Sequence, residues 1–120
     1  YLNPQEAATN YLETVNYVSI ILDELKIKKY FILQPMAFSR NELTSNEKKL
    51  ISNKNIYSGR KTYRLITTKL SNNKSFIDMS KIFDNKEYGQ LFYDMGHLGD
   101  KGNVIVGRKI SEVIANDFRQ

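Results

Sequence analysis

The chain contains no cysteine, which removes disulfide frameworks, thiolate nucleophiles and cysteine-ligated zinc from consideration and leaves its redox compartment unmarked. Long apolar runs are missing too. The longest, Val18 to Leu22, is already broken by Ser19, far short of the ~20 consecutive apolar residues that a bilayer-spanning helix needs. The chain therefore reads as soluble. Only one histidine, His97, occurs among 120 residues, so any imidazole chemistry must reside there. A chain of this length, 41% hydrophobic and 26% charged, fits one globular domain with one core and excludes a multidomain enzyme. It opens on Tyr1 rather than Met, with no basic, apolar, small-residue leader pattern before the first expected helix, and so reads as a piece of something longer.

Charge is distributed unevenly. Residues 1 to 25 hold four acids (Glu6, Glu13, Asp23, Glu24) and no Lys or Arg, whereas residues 48 to 81 hold nine bases against Asp78 alone. The net charge of +5 is thus a local excess, not a general polyanion-binding balance.

Asn3-Pro4-Gln5-Glu6 has the composition of a helix start: a capping side chain, a proline where the N–H would be orphaned anyway, and an acid at the positive end of the dipole. Apolar residues then recur at Ala8, Tyr11, Leu12, Val15, Val18, Leu22 and Leu25, a spacing that puts one stripe on one helix face. Lys26-Ile27-Lys28-Lys29 is expected to close that helix. Tyr30-Phe31-Ile32-Leu33, stopped at Gln34-Pro35, suits a strand buried on both faces, as in a parallel sheet. Thr44 and Glu47 have capping-box spacing for a short helix. Ile56, Tyr63, Ile66 and Leu70 mark a basic helix, and Ser75-Phe76-Ile77-Asp78-Met79 reads as a second buried strand. Asp94-Met95-Gly96-His97-Leu98-Gly99-Asp100 follows as a loop. Asp100 is expected to cap a final helix with Val104, Ile105, Ile110, Val113 and Ile114 on its apolar face. Helices alternating with short apolar strands indicate an α/β layered domain. Two strands are few for such a sheet, and the missing ones are expected before Tyr1.

The spacing Asp94-x-x-His97 allows a carboxylate to hold one imidazole N–H while the other ring nitrogen takes a proton, the base-and-orienter pair that activates a serine. By itself that spacing is a weak signal and better fits a surface loop histidine beside a capping acid. The surrounding text is more specific. Phe76-Ile77-Asp78-Met79-Ser80, Ile82-Phe83, and Leu91 through Val106 ahead of an amphipathic helix resemble the C-terminal block of the SGNH (GDSL-type) hydrolases. In that family an Asp-x-x-His motif is followed by a Leu, a polar-Gly-Asn turn and the last helix; Asp94, His97, Leu98, Gly102 and Asn103 stand at those positions. Phe31-Ile32-Leu33-Gln34-Pro35, with Leu43-Thr44 and Glu47-Lys48 after it, is similar to a strand and loop of some members. The likeness runs from about Tyr11 to Ile114.

The resemblance implies a three-layer, flavodoxin-like α/β/α domain with a parallel sheet, of which residues 1–120 form only the C-terminal part. It implies hydrolysis of carboxylic esters, acyl or O-acetyl, with His97 as general base and then acid and Asp94 as its orienter. No cofactor and no metal are expected. The family's nucleophile lies in a Gly-Asp-Ser motif and its oxyanion hole is completed by a Gly and an Asn in two further blocks; none of these motifs occurs here. Ser39, Ser58 or Ser75 would have to be recruited, and Asn3 is better explained as a cap. The nucleophile half is therefore expected in a missing N-terminal part, on this polypeptide or on a separate chain. The expected partner is a small-molecule or glycan ester substrate, with no nucleic acid. Exported or membrane-tethered relatives are common, which leans the compartment toward the cell envelope.

Three rival readings remain at this level. The basic segment 48–81, with Tyr57 and Tyr63 among its bases, could bind a polyanion, although a solvated helix face needs such residues too. Asp94, His97 and Asp100 could hold a divalent ion. The chain could also be a non-catalytic α/β binding module that keeps the fold. Arg40, Tyr57 and Arg60 follow strand ends, where α/β sheets place ligands, and are candidates for a cleft mouth; solvated surface positions explain each better.

Overall fold

The computed structural model describes residues 3–84 and 88–119. Helix α1 spans Pro4–Glu24, and the Asn3 side chain caps it by accepting the Glu6 N–H at 2.9 Å, as its sequence position implies. Ala8 and Val15 are buried, with Tyr11, Leu12, Val18 and Leu22 half-buried beside them. The apolar stripe stops at Leu22. Leu25, expected on it, is the exposed C-cap residue, because the chain reverses there. Lys26 adopts a left-handed φ of 54°, donating to the Asp23 carbonyl (3.0 Å) while Ile27 donates to Leu22 (2.8 Å). These two bonds are the paired termination that usually employs glycine.

Strand β1 (Phe31–Leu33) lies parallel to strand β2 (Phe76–Asp78), in the register Phe31↔Phe76, Ile32↔Ile77, Leu33↔Asp78. Both fall inside the expected apolar runs. Burial is less complete than expected, however: only Leu33 is buried, and the other apolar strand residues are half-buried. A one-turn helix α2 (Glu47–Leu50) and the long helix α3 (Asn53–Leu70) connect the strands, and Ser52 caps α3 by accepting the Asn55 N–H at 3.2 Å. Among the described residues the architecture is mixed α/β, with a two-stranded parallel sheet and four α-helices.

Two apolar clusters hold these elements together. Ala8, Leu33 and Ile66 bring α1, β1 and α3 together, with Tyr11, Tyr63 and Phe76 packed around them. A short 3-10 turn, Ala37–Ser39, follows β1 and lies against α3 so closely that a side chain on Gly59 would meet the Phe38 ring at 2.6 Å. Ala37 also belongs to the second cluster, with Phe83, Leu91 and Phe92, onto which Ile105 and Val106 of helix α4 (Asp100–Asp117) pack. The α4 start differs from expectation. Gly99 is its N-cap and Asp100 its first helical residue, making no capping bond from the N-cap position; Val104, expected on the apolar face, is exposed. The far end of α4 is tied to the start of β1 by Asp117, which takes an ion pair from Lys28 at 2.8 Å and a short hydrogen bond from the Tyr30 hydroxyl.

One buried polar cluster secures the connection between the strands. Glu47 is 0% exposed and Arg40 is 3% exposed. The Arg40 Nη1 reaches both carboxylate oxygens (3.1 and 2.9 Å) and the Gly89 carbonyl (2.7 Å). The same carboxylate accepts backbone N–H groups of Thr44 (2.9 Å) and Leu91 (3.0 Å), and the Thr44 hydroxyl accepts the Glu47 N–H at 3.2 Å. The capping box expected from Thr44 and Glu47 is present, but its acid turns inward. Burial alone would push the Glu47 carboxyl up; the Leu91 and Thr44 donors and the Arg40 charge outweigh it and hold the carboxyl below its ordinary value.

Two outcomes follow for stability. Removing one partner of a buried charge pair strands the other, so Glu47→Ala should lower the unfolding free energy by roughly 3–5 kcal/mol in urea denaturation; a loss below about 1 kcal/mol would mean that Arg40 finds water instead. Because the folded carboxyl titrates below its unfolded value, this contribution is fully present above the unfolded pKa and disappears as pH falls through the folded one. In contrast, Lys26→Gly relieves a left-handed residue and should raise stability by about 0.5–1 kcal/mol.

Candidate active site

Asp94 and His97 lie in a tight reversal of the chain between Leu91 and Gly99. Tyr93 N donates to His97 O (2.9 Å), Gly99 N to Leu91 O (2.8 Å), and Phe92 pairs with Leu98 across a single antiparallel bridge. Phe92 is fully buried and Leu98 packs on the same cluster, so the base of the reversal is anchored in the core while its tip stays in solvent. Gly102 permits α4 to start against it: a Cβ there would stand 2.9 Å from the Leu98 side chain and 3.4 Å from the Leu91 carbonyl.

The tip is set by Asp94. Its Oδ1 accepts the N–H groups of Gly96 (2.8 Å) and His97 (2.7 Å), and its Oδ2 lies 2.6 Å from His97 Nδ1. Donation from the His97 and Gly96 backbone, then from the imidazole, holds the Asp94 carboxyl down at about 2. Near neutral pH it is therefore ionised and can only accept, so Nδ1 carries a proton, and in the neutral imidazole the lone pair is on Nε2. The bond anticipated from the Asp-x-x-His spacing is formed. The His97 side chain is 85% exposed, and Nε2 meets no protein group among the described residues.

This tip stands at the carboxyl end of the sheet. Ala37 N, four residues beyond β1, donates to Met95 O at 2.9 Å, so the loop that carries the imidazole is bonded to the segment leaving the strand. Ligands of open α/β sheets bind at that end.

The candidate serines are not brought to His97. Ser39 is buried, and its Oγ accepts Met36 N at 3.1 Å and lies 2.7 Å from the Met36 and Ser80 carbonyls, so the hydroxyl is engaged in closing a turn. Ser58 lies within α3, where its carbonyl receives the Thr62 hydroxyl at 3.0 Å. Ser75 precedes β2, its carbonyl accepting Phe31 N at 2.7 Å. Asn3 is the α1 cap and no oxyanion donor. Asp94, His97 and Asp100 do not gather as ligands; among the described residues no group of three or more His, Cys, Asp or Glu could hold a metal ion.

The three candidates for a cleft mouth separate. Arg40 is neither a mouth residue nor a solvated one but half of the buried pair with Glu47: among the described residues its guanidinium bonds both Glu47 carboxylate oxygens and the Phe83 and Gly89 carbonyls. Tyr57 is 68% exposed. Arg60 donates to the Phe38 and Arg40 carbonyls, each at 2.7 Å, and lines a cleft of about 400 Å³. Neither Asp94 nor His97 lines that cleft. The Arg40 to Glu47 pair escaped sequence reasoning, since a loop arginine seven residues before a capping acid has no periodic relation to it.

Compared with protein-family models, curated proteins and solved structures, the chain matches none.

An NMR titration tests the dyad. The Gly96 and His97 amide shifts should show a carboxylate step with a midpoint near 2, where Asp94 takes its proton. Movement centred at the ordinary carboxylate value would show that the bonds to Asp94 Oδ1 are not held in solution.

Proposed function

We propose that residues 1–120 are the C-terminal part of an SGNH-type serine ester hydrolase, a three-layer flavodoxin-like domain in which Asp94 and His97 form the base half of the site. The reading is carried by one observation: a carboxylate-oriented imidazole with an unoccupied Nε2, held at the carboxyl end of parallel strands. Other features agree with it. The chain is thin, 46 × 34 × 19 Å, and its radius of gyration of 15.4 Å exceeds the roughly 13–14 Å of a compact domain of this length. A two-stranded sheet is small for helices of this size, and β1 has one edge without a partner among the described residues. On this reading further strands belong beside β1, and one of them carries the nucleophilic serine and oxyanion donors.

The reaction then runs in two halves. Nε2 removes the serine hydroxyl proton as Oγ bonds to the ester carbonyl carbon, and Asp94 stabilises the imidazolium through Nδ1–H. As the tetrahedral intermediate collapses, the C–O bond to the alcohol breaks and Nε2–H protonates the leaving oxygen. Water repeats the sequence on the acyl-enzyme and releases the carboxylic acid. Small-molecule or glycan esters are the proposed substrates, and no cofactor takes part. In the rival reading, a non-catalytic binding module with its basic segment 48–81 against a polyanion, His97 has no role in turnover.

The test uses the full natural polypeptide and an activated acetyl ester. His97→Ala should lower turnover by on the order of a millionfold, and Asp94→Asn, which favours the wrong tautomer, by on the order of ten-thousandfold. A serine-directed phosphonate probe should label a serine outside residues 1–120, located by mass spectrometry. Labelling of Ser39, or turnover indifferent to His97→Ala, would sink the reading.

A further inference from the structure

The cleft beside α3 carries a second chemistry. Its volume of about 400 Å³ falls within the roughly 300–1,000 Å³ of small-molecule sites. Its walls come from one face of α3 (Arg60, Arg64, Thr67), from Asp78 at the carboxyl end of β2 with Ser80 and Lys81 after it, and from the segment after β1.

The wall is rich in unused donors. Arg60 commits Nε and one Nη2 proton to the Phe38 and Arg40 carbonyls, which leaves three of its five N–H groups without a protein partner among the described residues. Those two bonds also fix the guanidinium plane. Arg64, one turn further along the same helix face, makes no side-chain hydrogen bond or ion pair among the described residues. Ser80 is 5% exposed and uses its backbone N–H and carbonyl for its bonds among the described residues; its hydroxyl is not a buried orphan but opens to the solvent of the cleft. Lys81 is occupied by the Ser39 carbonyl (2.7 Å), Asn41 (2.9 Å) and Asp84 (3.4 Å), which braces the rim.

The only carboxylate in the wall does not answer this charge. Asp78 forms no ion pair with either arginine; its Oδ1 accepts Ser80 N at 2.8 Å, an Asx turn that holds the Ser80 segment in place. Arg60 and Arg64 are exposed and stand four residues apart on one helix face, where like charges repel weakly, a repulsion that an anion between them would relieve. A small oxyanion would satisfy both guanidinium groups with charge-assisted bonds and accept the Ser80 hydroxyl.

We propose that this cleft is a binding site for the phosphate group of a small molecule, held by Arg64, the free donors of Arg60 and the Ser80 hydroxyl. The site is independent of the ester-hydrolase reading and does not involve His97. The fork of Arg64 is its main specificity element. Arg60 both binds and supports the wall, so Arg64 is the cleaner position to test.

Titration of the full chain with inorganic phosphate at constant ionic strength, followed by the amide signals of Thr67 and Ser80, should give a saturable shift. Arg64→Gln should weaken binding by about tenfold or more, and Ser80→Ala should weaken it without loss of fold, since Ser80 uses only its backbone in the structure. Lys54→Gln removes the same charge from the same helix outside the cleft and should leave the affinity unchanged. Equal weakening by Lys54→Gln would mean diffuse attraction to the basic segment, and absence of a saturable shift, or an affinity untouched by Arg64→Gln, would overturn the proposal.

Discussion

The Glu47 carboxylate is the interaction on which the rest of the structure depends. It stands in the interior with no exposure and gathers donors from three separate stretches: Thr44 beside it, Arg40 from the segment after β1, and Leu91 from the start of the reversal that carries Asp94 and His97. An ionised group so buried is tolerated only when its lone pairs are met. Meeting them fixes where each of those stretches can lie. The 3-10 turn after β1 and the Leu91–Phe92 segment therefore share one core cluster, with Ala37 and Phe92 in mutual neighbourhood.

From that anchor the geometry of the dyad follows outward. Phe92 is held in the core, the chain reverses over Tyr93 to His97, and Asp94 closes the tip with one oxygen on the backbone and the other on the imidazole. The result is a hydrogen-bonded acid–imidazole pair on a surface tip. Orientation here comes from local bonds, whereas placement at the carboxyl end of the strands comes from the Ala37 to Met95 bond. A base of this kind is useful only if a nucleophile arrives opposite Nε2, and none of the candidate serines of this chain does so.

The basic segment illustrates how the same residues divide between roles. Arg60 stitches α3 to the turn after β1, Lys81 braces the rim of the cleft, and the Arg64 side chain and the Ser80 hydroxyl have no protein partner among the described residues. What a charge count presents as one excess of nine bases becomes, in three dimensions, a structural clamp and a small polar cleft. Surface lysines such as Lys48 and Lys49 stay in solvent.

Local features were legible because local physics sets them. The Asn3 cap, the α1 stripe from Ala8 to Leu22, the Thr44 and Glu47 capping box, both short strands and the Asp94 to His97 contact each involve residues within a few positions of one another, or a period that one element imposes. The misreadings occur where a neighbour remote in sequence intervenes. Leu25 and Val104 fit their helical periods yet face solvent, because among the described residues no element packs over them; Asp100 yields the cap position to Gly99, next to the bridge between Phe92 and Leu98. The sequence by itself determined the elements, their order and the local bond of the dyad. Tertiary structure alone decided the strand register, the inward turn of Glu47 onto Arg40, the engagement of Ser39 and the cleft beside Arg64, because each depends on groups brought together across tens of residues by packing that no local pattern encodes.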